Sequence, residues 1–551
     1  MHPLLKSLRF GLTRLVLVGI MAAYACAAQD VARMDQIVQS YATDKKFMGT
    51  VLVARDKVIF SKGYGMANLE WNIPNAPDVK FRLGSITKQF TAACILLLEE
   101  RGKLDVNDPV KKYMPDAPAA WDKITLFNLL THTSGIPSFT GFPAYRSIEP
   151  FETTPEKLVA TFRDKPLEFQ PGEKWNYSNS GYVLLGYLIE KISGQPYAQF
   201  LQENVLTPLG MKDSGYDSNA AIIPKRASGY TPTPKGVENT GFINMSVPFS
   251  AGALYSTTED LLRWEQGLFG GKVLSAAELQ KMTTPFKNDY AFGLMVNEQK
   301  GRKVIAHGGG IEGFNTSLAY YPEDKLTVIV LANLNGNAPN EITSQLADTM
   351  HGLPVRLPSE RKEIELSPDA LSRYVGTYAF PNGTNMLVTV KDKQLYTKLG
   401  PQPSIPIYPE SEKMFFTKVV NAELEFVTDR SGAVTALILH QNGIDQTAPR
   451  KSSTVEMPPE RKAITLPVDT LKQYVGTYEL APGVDVDMSL DGNQLMTQIT
   501  GQPKFPLYPE TETRFFLKVV DAQVDFVKDD SGKVTKIVLH QNGMDHTATR
   551  K

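Results

Sequence analysis

Ser85-Ile86-Thr87-Lys88 sets a hydroxyl and an amine three residues apart, a spacing that places both on one face of a helix, one above the other. Ile86, Phe90, Ala93, Leu97 and Leu98 form an apolar stripe between Ser85 and Arg101, ahead of Gly102, so the segment reads as a mostly buried helix. A lysine in the buried first turn of such a helix meets desolvation and the positive end of the macrodipole. Both disfavour its ammonium form and make it a usable base. Serine is a weak nucleophile until such a base takes its proton. The chemistry on offer is acylation of Ser85 with Lys88 as proton acceptor; the alternative is a helix-capping serine. Ser-x-x-Lys alone is a weak signal, and it recurs at Ser359-Glu360-Arg361-Lys362 in a charged linker.

Two further stretches add to it. Tyr177-Ser178-Asn179 closes a proline-glycine loop that begins at Gln170 and leads into a helix pattern over Gly181–Ile192. A phenol beside a lysine, partly ionised, could shuttle the serine's proton, and the Asn179 amide can hold a substrate carbonyl by donor and acceptor at once. His307-Gly308-Gly309-Gly310 ends a strand pattern over Lys303–His307. The glycines leave the strand edge bare, so a substrate backbone can approach it. One strand N–H together with that of Ser85 would make an oxyanion hole. Gly308-x-Gly310-x-x-Gly313 also matches the dinucleotide fingerprint in form. The following Phe314–Tyr321 reads as strand where that fingerprint needs a helix, and the match is rejected.

Taken in order, these pieces resemble the penicillin-recognising serine hydrolases, specifically the class C β-lactamase-like branch with its D-stereospecific peptidases, carboxypeptidase-type penicillin-binding proteins and small esterases. The neighbouring Leu130-Thr131-His132-Thr133-Ser134-Gly135-Ile136-Pro137 and Ser250-Ala251-Gly252-Ala253-Leu254-Tyr255-Ser256 also look like that family, and the resemblance covers about 45–350. It implies that Ser85 is the acylated nucleophile, with Lys88 and Tyr177 as proton-transfer partners. Asn179 would orient the substrate amide. His307 would stand where the family's third motif carries lysine, Gly308 and Gly309 would line the strand edge, and the N–H groups of Ser85 and Gly310 would hold the oxyanion. The implied reaction is acylation by a small peptide, amide or ester, then hydrolysis by water, with no metal and no organic cofactor.

His307 departs from the family pattern. A lysine there gives a permanent positive charge for a substrate carboxylate, whereas a histidine near neutral pH is mostly uncharged. Penicillins and free-carboxylate peptides become less favoured, and esters, amides and amino-terminal peptide residues more so. A catalytically silent binding or sensing protein is the rival from another class; the joint presence of Ser85, Lys88 and Tyr177 argues against it. The sequence has no His-Glu-x-x-His, Cys-x-x-Cys or Gly-x-Ser-x-Gly, which argues against metalloproteases and α/β-hydrolases. His132 reads as structural, and His351 and His546 as surface positions.

The elements that must position these groups occupy a chain of 551 residues, enough for several domains. With 58 basic and 59 acidic side chains it has no global basic field, so nucleic acid is not an expected partner. Its two cysteines, Cys26 and Cys94, make no disulfide framework and no thiolate metal site. Residues 1–28 read as a secretory signal: Lys6, Arg9 and Arg14, then the apolar Leu15–Ala23, then Ala25, Ala27 and Ala28 as cleavage choices. The apolar run is too short to span a membrane. A lipoprotein through Cys26 is the less favoured alternative, because Tyr24 and Ala23 fit its signal poorly. The expected product is exported, periplasmic or secreted.

Residues 29–355 carry strand patterns early (Val51–Ala54, Lys57–Ser61) and late (Ala291–Asn297, Lys303–His307, Asn315–Tyr321, Thr327–Ala332) with helices between and a last helix over Glu341–His351. This predicts an α+β domain: one antiparallel sheet built from both ends, with helices packed on it, β-lactamase/transpeptidase-like. The remainder is a repeat. Arg373-Tyr374-Val375-Gly376-Thr377-Tyr378 returns as Gln473-Tyr474-Val475-Gly476-Thr477-Tyr478 at an offset of 100. Residues 358–451 and 458–551 are thus sister domains. Short strands broken by Pro-Asn-Gly, Asp-Lys and Arg-Ser-Gly turns predict two small antiparallel β-barrels, lipocalin-like in size. A D-aminopeptidase branch of the same family carries two such barrels, with a loop of the last reaching its active site. The equal lengths of the two copies here leave no obvious counterpart of that loop.

Overall fold

A computed structural model describes residues 29–551 except 234, 401, 419–421, 442–443, 456–460, 482–483, 500–503, 519–521 and 542–543. The expected signal over 1–28, Cys26 included, lies outside the described residues. The chain divides into two compact units, Met1–Leu357 and Pro358–Lys551.

In the first unit, β1 (Gly49–Ala54) and β2 (Val58–Tyr64) pair as a hairpin. The strands β3 (Met295–Gln299), β4 (Arg302–Ile311), β5 (Phe314–Tyr321) and β6 (Leu326–Ala332) form an antiparallel meander. Gly49 pairs with Ala332 and Ala54 with Thr327, so β1 joins the meander to the early hairpin and gives the order β3-β4-β5-β6-β1-β2. Every residue of β1 and β6 is buried, as central strands covered on both faces require. Alternation assigns the faces. Val51 and Val53 point to a core that includes Met34, Ile37, Ile342 and Leu346. Leu52 and Ala54 point to the larger core on the other side.

That larger core holds α1 (Thr87–Glu100), entered through a 3₁₀ turn at Gly84–Ile86. Residues 87–98 are all buried, so α1 runs through the domain and does not lie on its surface. The stripe read from the sequence is the part of this helix that apolar residues alone reveal. The wall α2 (Asn179–Ser193) is capped by the Ser178 hydroxyl accepting the Gly181 N–H and ends at Gly194 in the left-handed region. Helix α3 (Thr258–Phe269) stacks Trp264 on Phe90 of α1, and α4 (Ala338–Met350) covers the opposite face of the sheet.

The second unit contains two closed barrels of eight antiparallel strands, spanning Gly376–Ala379 to Ile444–Ser452 and Gly476–Ala481 to Met544–Arg550. Closure removes the exposed strand edges that so short a sheet would otherwise present. Their cores repeat residue for residue: Tyr374, Tyr378, Phe415 and Phe426 in one, Tyr474, Tyr478, Phe515 and Phe526 in the other. In each, the second tyrosine's O–H donates to the carbonyl of the first, at 2.7 and 2.9 Å. Strand Ile405–Pro409 carries Pro406 and Pro409, residues that in a sequence argue against a strand. His351 departs from its expected surface position: its ring packs at 4.9 Å on Tyr321 and beside Asp324.

Candidate active site

Around the 3₁₀ turn that carries Ser85, backbone packs directly on backbone. Gly84 has φ +56°, and a Cβ there would meet the Gly310 N at 2.8 Å. A Cβ on Gly309 would fall 1.9 Å from the Leu83 carbonyl oxygen. The Thr316 hydroxyl donates to that same oxygen at 2.7 Å. Both glycines are therefore required by the close crossing of the turn and β4. On that side β4 runs past the end of β3, whose last partner on it is Ala306. The edge from His307 to Ile311 faces Ser85, without a partner strand.

Lys88, one turn on, is fully buried. Its Nζ lies 3.0 Å from Ser85 Oγ, 2.9 Å from Asn179 Oδ1 and 2.9 Å from the Ala251 carbonyl oxygen. Burial pushes its ammonium well below the usual lysine range. The Ala251 oxygen can only accept, and so can Asn179 Oδ1, whose Nδ2 donates to Thr140 Oγ1 at 3.0 Å. Two N–H groups serve these two oxygens; the contact with Ser85 Oγ takes a third N–H in the ammonium and, in the free amine, turns the lone pair to the Ser85 O–H.

The Tyr177 phenol hydrogen-bonds Ser85, and burial raises its pKa above the usual tyrosine value. The expected partial phenolate is therefore corrected: burial disfavours the charged form, and a neutral Lys88 beside the ring, 4.8 Å from its centroid, supplies no compensating charge. Tyr177 is a phenol, which can donate or relay a proton.

His307 is buried at the inner end of the open strand edge. Its Nδ1 lies 2.6 Å from the Gly308 carbonyl oxygen, which can only accept, so Nδ1 carries the hydrogen. Nε2 is then the acceptor for the Tyr290 O–H at 3.0 Å. Burial pushes His307 down to about 4, so it is uncharged at neutral pH, and both ring nitrogens are engaged.

Sequence reasoning missed Tyr290, which follows the left-handed Asn288 and Asp289; the only local signal was a polar turn before an aromatic. His132, read as structural, accepts the Ser178 N–H at Nδ1 at 3.1 Å and lies against Tyr177, Tyr182 and Tyr290. Ser85, Lys88, Tyr177, Asn179, His307, Gly308, Gly309 and Gly310 thus come together around one hydroxyl. Two cavities open from it. One, about 360 Å³, is bounded by Tyr177, His307, the three glycines and Asn340. The other, about 210 Å³, lies toward Asn179, Phe139 and Tyr145. Ser85 and Gly310 line both.

Residues 34–348 match the family model described as Beta-lactamase. The chain belongs to the beta-lactamase family. It is an enzyme of the beta-lactamase-fold serine hydrolases, an α/β domain followed by two closed barrels. Residues 360–451 and 460–550 each match a domain of unknown function, DUF3471. Among relatives of this beta-lactamase-family chain, penicillin-binding protein 4* of Bacillus subtilis is 30% identical over 74% of this chain and 95% of its own. The octameric penicillin-binding protein homologue of Pyrococcus abyssi has a TM-score of 0.55 at 27% identity, covering 76% of this chain and all of that one. A D-stereospecific amidohydrolase from a Streptomyces species has a TM-score of 0.50 at 26% identity, over 60% of this chain and 99% of its own.

Proposed function

We propose that Ser85 is the nucleophile of a hydrolase that cleaves amide bonds of small peptides, those containing D-amino acids in particular, through an acyl-enzyme. The observation that carries this reading is the buried Lys88 Nζ, held by Asn179 Oδ1 and the Ala251 carbonyl oxygen and 3.0 Å from Ser85 Oγ, where the free amine would turn its lone pair to the Ser85 O–H. As the hydroxyl attacks a carbonyl carbon, its proton passes to Lys88 Nζ. The developing oxyanion sits against the N–H groups of Ser85 and Gly310, at the crossing that Gly84 and Gly309 permit. Tyr177 passes its proton to the leaving nitrogen and recovers one from Lys88, which returns to the free amine, while the Asn179 amide orients the acyl half. Water then attacks the ester on Ser85, with Lys88 taking its proton and giving it to the departing Ser85 Oγ. The preference for D-residues draws on the likeness to the D-stereospecific amidohydrolase.

A short-chain esterase is the second reading, favoured by the uncharged His307, which offers nothing to a substrate carboxylate. Export belongs to the same proposal and rests on the composition of residues 1–28; among the described residues no helix is long and apolar enough to cross a membrane. The test is intact-mass measurement after incubation with a fluorophosphonate or a fluorescent penicillin, with Ser85→Ala as control. An adduct on the wild type and not on Ser85→Ala is the expected result. No adduct and no hydrolysis of p-nitrophenyl esters or D-alanine p-nitroanilide would leave a silent binding protein.

A further inference from the structure

The smaller cavity beside Ser85 is walled mainly by apolar and aromatic groups, Phe139, Tyr145, Ile243 and Ile311 among them, and has one carboxyl in its lining, Glu312. Glu312 stands in the turn between β4 and β5, two residues past Gly310, hence at most ~7 Å from it along the chain. Its carboxyl hydrogen-bonds that of Glu149, whose side chain is 7% exposed. Behind Glu149 comes a single cation, Arg146, with Nη1 3.0 Å from Glu149 Oε2 and its side chain 80% exposed. Two carboxyls and one guanidinium leave this wall one positive charge short when both acids ionise. In an apolar pocket that deficit is costly, and a cation arriving with the substrate would cancel it. Tyr145 is the other titratable group that faces the wall; His307 is uncharged, and burial disfavours the ammonium of Lys88.

We propose that the Glu312–Glu149 carboxyl pair is the specificity-determining wall of this pocket and selects substrates that carry an ammonium on the acyl side of the scissile bond. This rests on the Ser85 hydrolase reading and adds the substrate class to it. With the substrate carbonyl oxygen at the Gly310 N–H, an amino group one carbon from that carbonyl, or an ammonium at the end of a side chain filling the cavity, comes within reach of the Glu312 carboxylate. Burial, and then the neighbouring Glu149, hold Glu312 well above the ordinary carboxylate range, so the empty pair retains a proton that an incoming ammonium displaces.

The test compares kcat/KM for D-alanine p-nitroanilide, N-acetyl-D-alanine p-nitroanilide and N-acetyl-D-lysine p-nitroanilide in the wild type, Glu312→Gln and Glu312→Asp, with fluorophosphonate labelling of Ser85 reporting an intact site. The wild type is expected to favour one ammonium substrate over the neutral one by ~10-fold or more. Which of the two it favours tells α-amine from side-chain recognition. Glu312→Gln brings the ratio close to one, and Glu312→Asp, which keeps the charge, retains most of it. A wild type labelled on Ser85 that shows no preference, or a preference that survives in Glu312→Gln, overturns this inference alone. A wild type that neither labels nor hydrolyses overturns the hydrolase reading as well.

Discussion

His132 and Tyr177 lie ring to ring, their centroids 4.2 Å apart, and the same imidazole accepts the N–H of Ser178, the next residue after Tyr177. One side chain thus fixes both the ring and the backbone of the loop that carries the phenol. His132 itself has φ +56°, a conformation uncommon outside glycine. Burial holds it well below the usual histidine range, so it acts as a neutral acceptor.

His132→Phe keeps the ring and removes the acceptor, leaving the Ser178 N–H buried and unpaired. The expected cost is ~1–3 kcal/mol of stability by urea unfolding. A slower fluorophosphonate reaction with Ser85, at unchanged substrate KM, would mark the positioning of Tyr177 as its cause. Wild-type labelling rates in a destabilised His132→Phe would assign the residue to the core alone.

Lys88 gives a pH dependence with a definite sign. Its amine is lowered in the folded protein and ordinary in the unfolded one, so between those two values the unfolded chain binds the extra proton and stability rises with pH. The same lowering places the rising limb of kcat/KM well below the free-lysine range, with a plateau above it. Lys88→Met should cost ~10²–10⁴ in kcat/KM and abolish the limb. A profile of the wild type that climbs only near the free-lysine value would refute a neutral amine.

His307→Lys would put a cation at the end of the open strand edge. Acylation by a fluorescent penicillin should then rise by ~10-fold relative to p-nitrophenyl acetate, read as the ratio of the two rates. In the wild type, His307 titrates at about 4, so His307→Gln should leave the shape of the kcat/KM profile between pH 5 and 8 as it was. A step near pH 6.5 that disappears in His307→Gln would contradict this.

Glu265 on α3 is buried with Oε2 unpaired, and burial pushes its carboxyl up to about 8. The folded state therefore holds a proton that the unfolded state has released. Stability falls as pH rises from the ordinary glutamate range to about 8, opposite in sign to the effect of Lys88. Glu265→Gln should match the wild type near pH 4.5 and melt several degrees higher at pH 8. Parallel melting curves for the two proteins across that range would rule this out.

The Ser85/Lys88 pairing was legible because the 3₁₀ turn of Ser85 runs straight into α1, which carries Lys88, and over so short a helical stretch spacing in sequence is spacing in space. The sheet was legible for a related reason: β1 and β6 carry the unbroken apolar runs Val51–Ala54 and Val328–Ala332, and β4 ends in glycines no helix would carry. Tyr290 and Glu312 were not legible. Tyr290 meets His307 across 17 residues and a hairpin, and Glu312 meets Glu149 across the width of the domain, contacts that only the tertiary fold creates. Tyr177 was located in the sequence, but its ionisation was misread, since the degree of burial around a phenol cannot be counted from its neighbours in the chain.

The crossing of Gly309 over Leu83 has an evolutionary corollary. The floor on which a tetrahedral adduct would rest is main chain against main chain, and main chain is the one part of a protein that point mutation leaves chemically alone. Descendants of this enzyme can change diet by rebuilding the rim, at Phe139, Tyr145, Ile243, His307 or Glu312, while the anvil beneath stays the same.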